Sequence, residues 1–250
     1  MEPIEMIRRD FLTKGSAALF ALRFTPEILW NTFQDISREE LLGKGNPQLI
    51  TKSGYLLRPE AAKAFDQMMD AAAEAGVPIQ VVSSYRSFDH QNRIWKRKYN
   101  SYSAKGLSPQ KAIDKIIEYS TLPGTSRHHW GTDVDIIQAG TYVKGDVLVP
   151  SKFHGTGPFC ELKMWLDEHA KNFDFHLVYT DIYGRKGFNY EPWHYSYAPL
   201  SVAYLNAYQK LNLSDIFQKE NLLGSSNFSE AFLKQYRNEN ILDINPELLV

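Results

Sequence analysis

Apolar residues recur every three or four positions in several stretches of this chain, a spacing that places them on one face of an α-helix. The clearest stretch begins at Pro59 and stops before Gly76, and proline and glycine favour these two positions of a helix. Its apolar stripe consists of Ala61, Phe65, Met68, Met69 and Ala72. The stripe predicts a helix whose apolar face packs into the protein core.

Further helices are predicted where a capping residue or a proline precedes apolar residues at the same spacing. The helix at Phe88 is expected to run to about Tyr99, and the last helices of the chain form a C-terminal extension. The predicted helices start near Thr25, Ser37, Phe88, Ser108, Leu162, Pro199 and Ser229.

β-Branched and alternating segments predict strands at 78–84, 132–137 and 175–179. In the second strand the side chains alternate between two faces, so Asp133 and Asp135 point the same way. Two short apolar segments at 142–143 and 147–149 flank a polar turn and predict a hairpin or an inserted loop.

These elements predict an α+β fold with a small, mainly antiparallel sheet and flanking helices, because helices and short strands are interspersed without a βαβ rhythm. At 250 residues with 43% hydrophobic side chains and no obvious linker, the chain can build one compact catalytic domain with extensions. We expect this domain at 25–200, a C-terminal helical extension at 201–250 packed on it, and a separate leading segment at 1–24.

The overall composition excludes several classes of partner and site. Lys and Arg total 28 against 29 for Asp and Glu. The chain therefore has no net positive charge that would attract nucleic acid or an anionic membrane surface. Cys160 is the only cysteine, which excludes an internal disulfide and a zinc site built on several thiolates; we expect it to be a small buried hydrophobe. No stretch reaches the roughly 20 apolar residues of an integral membrane span.

The N-terminal segment 1–24 resembles a bacterial twin-arginine export signal, with Arg8-Arg9 followed by Phe11-Leu12 and a mostly apolar run. It predicts export to the periplasm or cell envelope. Arg23 interrupts the run, and no small-x-small cleavage site follows. The alternative is a basic amphipathic helix at the start of a cytoplasmic protein.

Residues that can bind a metal or act as a base are concentrated in the ten residues Ser126–Asp135. This segment contains two imidazoles, His128 and His129, and two carboxylates, those of Asp133 and Asp135. A distant second fragment, Glu191-Pro192-Trp193-His194, adds a carboxylate and a third imidazole. Two histidines and one carboxylate suit zinc with an open position for water. A remaining carboxylate is then free to act as a base.

The spacing within each fragment requires a bend. His128 and Asp135 are an odd number of residues apart and would lie on opposite faces of a straight strand. Gly131 permits the chain to turn between them. Glu191 and His194 are also separated by an odd number, and Pro192 favours a bent approach.

The residues Ser126-x-His128-x-x-Gly131-x-Asp133-x-Asp135 with Glu191-x-Trp193-His194 resemble the signature of the zinc D-alanyl-D-alanine carboxypeptidases of the VanY type, peptidase family M15. Ser84-Tyr85-Arg86-Ser87 with Gln91 is similar to another segment of that family. The resemblance runs from about Gly54 to Tyr197 and does not cover the C-terminal fifty residues.

The resemblance implies an enzyme that hydrolyses the terminal D-alanyl-D-alanine bond of peptidoglycan stem peptides. We expect this enzyme to be a monomer. It implies that Arg86 polarises the scissile carbonyl or holds a substrate carboxylate, and that Glu191 is the general base for a zinc-bound water. Gln91 and Ser126 would line the substrate pocket. One zinc ion would be held by His128, Asp135 and His194.

Two positions stay ambiguous at this stage. Asp133 departs from the family pattern, which commonly has alanine there, and it could contact substrate, support a ligand or compete as one. Only the family spacing prefers His128 to His129 as a ligand.

Other functions fit parts of the pattern. The same ligand set occurs in non-haem iron oxygenases, although those usually carry His-x-Asp or His-x-Glu, which is absent here. An L,D-carboxypeptidase or an endopeptidase on cell-wall peptides would use the same groups. A non-catalytic zinc module that binds cell wall would keep the ligands but would not need Glu191 or Arg86.

Overall fold

The computed structural model of the protein describes residues 36–52 and 54–249. The predicted export segment at 1–24 and the predicted helix start at Thr25 lie outside these residues. The described helices are α1 (Arg38–Leu41), α2 (Pro59–Glu74), α3 (Phe88–Ala104), α4 (Pro109–Ile116), α5 (Cys160–His169), α6 (Ala198–Tyr208), α7 (Leu213–Lys219) and α8 (Glu230–Tyr236). The described strands are β1 (Ile50–Lys52), β2 (Tyr55–Leu57), β3 (Ile79–Ser83), β4 (Asp133–Gln138), β5 (Phe175–Leu177) and β6 (His194–Tyr197).

Helix ends follow the capping signals in the sequence. The side chains of Ser37, Ser87 and Ser108 each accept a hydrogen bond from a backbone N–H in the first turn of α1, α3 and α4. Helix α3 continues past the predicted end at Tyr99 to Ala104 because no helix breaker occurs before Gly106, whose φ is +84°.

The main sheet has the strand order β3-β4-β6-β5, and each neighbouring pair is antiparallel. Strands β1 and β2 form a separate antiparallel pair. This arrangement confirms the prediction of an α+β fold with a small antiparallel sheet. The predicted hairpin at 142–149 contains no strand and is a loop instead, which leaves the inserted-loop alternative.

One face of the main sheet packs against α2 and α5. Val134, Ile136 and Tyr195 on this face are buried together with Phe65 of α2 and Leu162 of α5. Burying each large apolar side chain stabilises the fold by roughly 1.5–3 kcal/mol. The opposite face of the sheet is therefore free to carry polar side chains.

A second core joins the helices of the middle and the end of the chain, with Trp95, Ile113, Leu205, Tyr208 and Leu233 among its buried members. Residues 36–250 form one compact unit, so the C-terminal helices pack on the same core as α3 and α4. None of the helices in the described ranges is long and apolar enough to cross a membrane. Cys160 is half-buried at the first turn of α5 rather than fully buried as predicted.

Candidate metal and catalytic site

The polar face of the main sheet carries the candidate site residues in adjacent strands. In the register of β4 and β6, Asp135 lies opposite His194, and Asp133 lies opposite Ser196. Directly opposite residues of an antiparallel pair have Cβ atoms roughly 4.5–5.5 Å apart. Strand alternation and this register therefore bring two segments together that are about sixty residues apart in the sequence.

His128 reaches the same place from a short 3₁₀ turn, Arg127–Trp130, that precedes β4. Gly131 ends this turn with φ +70°, a left-handed conformation that favours glycine. A Cβ atom at Gly131 would lie 2.8 Å from Leu49 Cδ2, so a larger residue would also clash. The bend predicted at Gly131 is present, and it turns the His128 ring towards Asp135.

His128, Asp135 and His194 each offer one ligand atom, and these atoms all lie within 4.8 Å of one another. The His128 Nε2 atom is 3.3 Å from Asp135 Oδ2, and the His194 Nδ1 atom is 3.7 Å from Asp135 Oδ1. All three side chains are buried. The three residues are therefore close enough together to hold one metal ion.

The hydrogen bonding of His128 fits a metal ligand. Its Nδ1 atom lies 2.8 Å from the Ser84 carbonyl oxygen, which can only accept, so Nδ1 carries the proton and Nε2 carries a lone pair. Burial and the nearby Arg86 charge lower the pKa of His128 and keep the ring neutral. Nε2 is buried and has no hydrogen-bond partner among the described residues. A buried lone pair facing a carboxylate oxygen is costly unless a cation lies between them, and this donor set suits zinc.

His129 is held differently. Its Nδ1 atom lies 2.6 Å from the Arg86 carbonyl oxygen, and its Nε2 atom accepts a hydrogen bond of 3.1 Å from the Gly124 N–H. Burial lowers the pKa of His129 to about 3, so the ring is neutral. Because both nitrogens are already used by the backbone, His129 is not available to a metal, and the structure brings His128 to the cluster instead.

Asp133 lies against the far side of the His194 ring. Its Oδ2 atom is 3.0 Å from His194 Nε2, and its carboxylate also accepts hydrogen bonds from Arg127 Nε at 3.0 Å, Thr132 Oγ1 at 2.7 Å and Ser196 Oγ at 2.7 Å. Burial alone would raise the pKa of Asp133, but the charge of Arg127 and the hydrogen bond to His194 lower it. Asp133 is therefore a buried carboxylate that holds His194.

This position does not fit a contact of Asp133 with substrate, which was one of the three roles that the sequence left open. The side chain is 0% exposed and does not line the cavity, whereas His194, to which it is hydrogen-bonded, does. Of the three roles that the sequence left open, support of a ligand matches its contacts. A carboxylate that accepts the second ring N–H of a metal-binding histidine fixes both the tautomer and the orientation of the ring.

Glu191 lies on the other side of His194. Its Oε2 atom is 3.0 Å from His194 Nδ1, the nitrogen that faces Asp135. Burial alone would lower the pKa of His194, but the hydrogen bonds to Asp133 and Glu191 raise it to about 9. Burial also raises the pKa of Glu191, against the opposing effect of His194. A carboxylate with a raised pKa beside a candidate metal site is suited to act as a general base.

Arg86 reaches the cluster from the loop after β3. Its Nη2 atom donates to Asp135 Oδ2 at 2.6 Å, its Nε atom to Ser83 Oγ at 2.8 Å and its Nη1 atom to Gln91 Oε1 at 3.2 Å. Because a guanidinium carries five N–H groups, two remain for a bound molecule. Arg86 is thus oriented by protein contacts and still has donors to offer.

Gln91 and Ser126 occupy different positions relative to the cavity. Gln91 is 0% exposed and donates to the Thr121 carbonyl at 3.0 Å, so it orients Arg86 instead of lining the pocket as predicted. Ser126 does line the cavity, and its buried Oγ atom forms no hydrogen bond within the part of the chain that the structure describes. That hydroxyl is available to a bound molecule.

These residues open onto one cavity of about 690 Å³, a size typical of small-molecule sites. Arg86, Ser126 and Glu191 line it together with the three-residue cluster. The neighbouring rings of Tyr119 and Trp193, with centroids 6.4 Å apart and planes tilted by 31°, add an apolar surface. The cavity therefore joins a candidate metal site, a base and a cation in one place.

Two residues that complete the contacts of Asp133, Arg127 and Ser196, were not predicted from the sequence. Ser196 follows His194 by two residues, so strand alternation would have placed both on one face. Lys98 was also missed. It lines the cavity from α3 and stands eight residues after His90 on the same side of that helix.

Comparison with known proteins agrees with this geometry. Residues 54–200 match the family model described as VanY: D-alanyl-D-alanine carboxypeptidase. A D-alanyl-D-alanine carboxypeptidase of Enterococcus faecalis (strain ATCC 700802 / V583) is 33% identical over 157 residues, which cover 61% of this chain and 52% of that protein. The putative carboxypeptidase YodJ of Bacillus subtilis (strain 168) is 29% identical over 167 residues, which cover 65% of this chain and 54% of that protein.

Among solved structures, that of VanYB in complex with D-alanine-D-alanine is 29% identical, covers 71% of this chain and 92% of that one, and has a TM-score of 0.49. The chain spans about half the length of the two sequence relatives, at 52% and 54%. The family match extends over more than half of the 250 residues and includes every residue of the cluster. The chain therefore belongs to the VanY D-alanyl-D-alanine carboxypeptidase family.

Proposed function

We propose that this protein is a zinc-dependent carboxypeptidase that hydrolyses the terminal D-alanyl-D-alanine bond of peptidoglycan stem peptides. The observation that carries the proposal is the position of Glu191, whose Oε2 atom lies 3.0 Å from His194 Nδ1 in the same cavity as His128 and Asp135. Membership of the VanY family supports the choice of substrate.

The proposed ligands are His128, Asp135 and His194. A zinc ion held by them would supply a Lewis acid and would lower the pKa of a bound water towards about 7. Asp135 suits this role because burial alone would raise its pKa, but the charges of His194 and Arg86 lower it and keep the carboxylate ionised.

Two further residues of the cavity have separate tasks: Glu191 transfers the proton, and Arg86 stabilises negative charge. Glu191 accepts a proton from the attacking water and passes it to the leaving amine of the terminal residue. Arg86 directs its two unused N–H groups to the carbonyl oxygen or to the substrate carboxylate, where negative charge must be stabilised. Ser126 offers a hydroxyl to the same substrate.

The reaction can be tested with two peptides. Zinc-loaded protein should release one D-alanine from a peptide that ends in D-alanyl-D-alanine, and a chelator should stop the release until zinc is added back. A tetrapeptide that ends in a single D-alanine after an L-configured centre serves as the comparison. Exclusive cleavage of the tetrapeptide would favour the L,D-carboxypeptidase, and cleavage of neither would favour the non-catalytic zinc module.

The choice of histidine can be tested separately through metal content. His128→Ala should lose the zinc, because it removes the nitrogen that faces Asp135. His129→Gln should keep the zinc, since both ring nitrogens of His129 are bonded to the backbone, at the Arg86 carbonyl and the Gly124 N–H. The reverse result would contradict the proposed ligand set.

We also propose that the protein acts in the periplasm or cell envelope, where its substrate is found. The pair Arg8-Arg9 in the N-terminal segment supports this location. The monomeric state stays a prediction.

A further inference from the structure

One wall of the cavity is a single ridge of helix α3. His90, Ile94, Lys98 and Tyr102 follow one another at intervals of four residues, and all four line the cavity. Side chains four apart lie on the same face of a helix, and with a rise of about 1.5 Å per residue this ridge is roughly 18 Å long. The cavity therefore extends well beyond the space near Arg86.

The ridge carries a positive charge that no ion pair neutralises within residues 36–52 and 54–249. Lys98 is half-buried in the cavity wall, and in the described part of the chain it makes no hydrogen bond and no ion pair. Arg97, next to it, is exposed and also lines the cavity. The charge of Arg86, in contrast, is balanced by Asp135 at 2.6 Å.

A half-buried ammonium without a partner is unfavourable because it has lost part of its hydration. Two acidic groups of the cavity, those of Glu191 and Asp146, act on Lys98 through their charge. Glu191 is already bound to His194 at 3.0 Å, and Asp146 Oδ1 accepts a hydrogen bond from the Leu148 N–H at 3.0 Å. Neither contacts Lys98, so its charge remains available to a ligand.

We propose that Lys98, with Arg97 beside it, forms an anion subsite for a carboxylate on the residue that precedes the terminal dipeptide of the substrate. The inference rests on the proposed function, which puts the terminal dipeptide beside Glu191 and Arg86. A cavity of about 690 Å³ accepts a drug-sized molecule, so the preceding residue has room in it. The ridge of α3 offers that residue apolar contacts at Ile94 and Tyr102 and one cation between them.

The test uses two acylated peptides that differ by one carboxylate. The first is acyl-lysyl-D-alanyl-D-alanine, and the second has 2,6-diaminopimelate in place of lysine. Their dissociation constants are measured by calorimetry on zinc-loaded Glu191→Gln protein, which is expected to bind peptide without cleaving it. A hydrogen bond between charged groups predicts binding of the diaminopimelate peptide about tenfold tighter or more, and a weaker preference at high salt.

Two variants on α3 in the same background identify the cation responsible. Lys98→Met removes the charge and keeps the aliphatic stem, and it should bring the two dissociation constants together. Lys96→Met makes the same change on the exposed side of α3, away from the cavity, and should keep the full preference.

The outcomes separate the subsite from the proposed function. Equal affinity for both peptides, or a preference that survives Lys98→Met, would overturn the subsite. Failure of the wild-type protein to release D-alanine, with the Lys98-dependent preference intact, would contradict the proposed function and leave the subsite as part of a peptide-binding site.

Discussion

His194 and Asp133 are joined by a hydrogen bond of 3.0 Å between Nε2 and Oδ2. The bond leaves the other ring nitrogen, Nδ1, facing Asp135 and Glu191. Asp133 is itself fixed by Arg127, Thr132 and Ser196. The orientation of His194, a proposed metal ligand, is thus set by the buried carboxylate of Asp133, which does not line the cavity.

We therefore predict that Asp133→Ala lowers the affinity for zinc by about 10- to 100-fold, the usual effect of losing a carboxylate that supports a metal-binding histidine. The affinity is measured by competition with a chromophoric chelator. Ser196→Ala is the matched control, because it removes one hydrogen bond to Asp133 but leaves the bond to His194. Equal zinc affinity in Asp133→Ala and wild-type protein would show that Asp133 does not support the ligand.

The sequence predicted which segments carry the site because those features are local. Strand alternation put Asp133 and Asp135 on one face, and Gly131 marked the bend before them. The residues next to His128 and His129 in the sequence do not show which of the two is the ligand. The choice depends on the carbonyl oxygens of Ser84 and Arg86, which lie more than forty residues earlier in the sequence and meet these rings only in the folded chain.

For the same reason, the role of Gln91 was missed and three roles stayed open for Asp133. Polar residues in a signature can either face the substrate or hold a residue that does, and the sequence does not distinguish the two. Burial distinguishes the two roles here, since the side chains of Gln91 and Asp133 are 0% exposed and therefore hold other residues of the site. The end of helix α3 was also missed, because its extension past Tyr99 to Ala104 adds Tyr102 to the row of cavity residues that contains Lys98.

The neutral, buried ring of His129 predicts a loss of stability in acid. Its folded-state pKa of about 3 lies below the unfolded value of 6.5, so below pH 6.5 the unfolded chain binds a proton that the folded chain does not. Stability therefore falls as the pH decreases from 6.5 towards 3. The expected loss from this residue is about 2 kcal/mol at pH 5 relative to pH 7.

Urea unfolding at the two pH values, with a chelator present throughout, measures this loss in wild-type protein and in His129→Gln. Glutamine keeps an amide donor and acceptor but does not titrate, so the variant should lose about 2 kcal/mol less than the wild type between pH 7 and pH 5. An identical pH dependence in both proteins would contradict the assignment of a buried neutral ring.

The C-terminal helices are predicted to stabilise the loop that leads into the site. Tyr236 Oη accepts the Leu122 N–H at 3.0 Å and lies 2.9 Å from Thr125 Oγ1. Tyr236→Phe leaves a buried N–H without a partner, which should lower the free energy of unfolding by about 1–3 kcal/mol. Tyr183→Phe, at a fully exposed tyrosine, is the control and should leave the stability unchanged; equal stability of both variants would refute the prediction.

Export by the N-terminal segment gives a prediction that is independent of the site. Replacing Arg8 and Arg9 by lysine should retain the protein in the cytoplasm, because twin-arginine signals are recognised through that pair. Fractionation of cells that express the wild type and the double variant measures the effect. The same distribution of both proteins would favour the amphipathic-helix alternative.

The most direct test of the account is the rate of D-alanine release by zinc-loaded Glu191→Gln. The amide keeps the shape of the side chain and leaves His128, Asp135 and His194 in place, so zinc should still bind. Turnover should fall by at least the roughly 10²–10⁴-fold that general acid–base catalysis contributes, and most of the loss should appear in kcat. A variant that holds zinc and releases D-alanine at near the wild-type rate would contradict the role of Glu191 as the base.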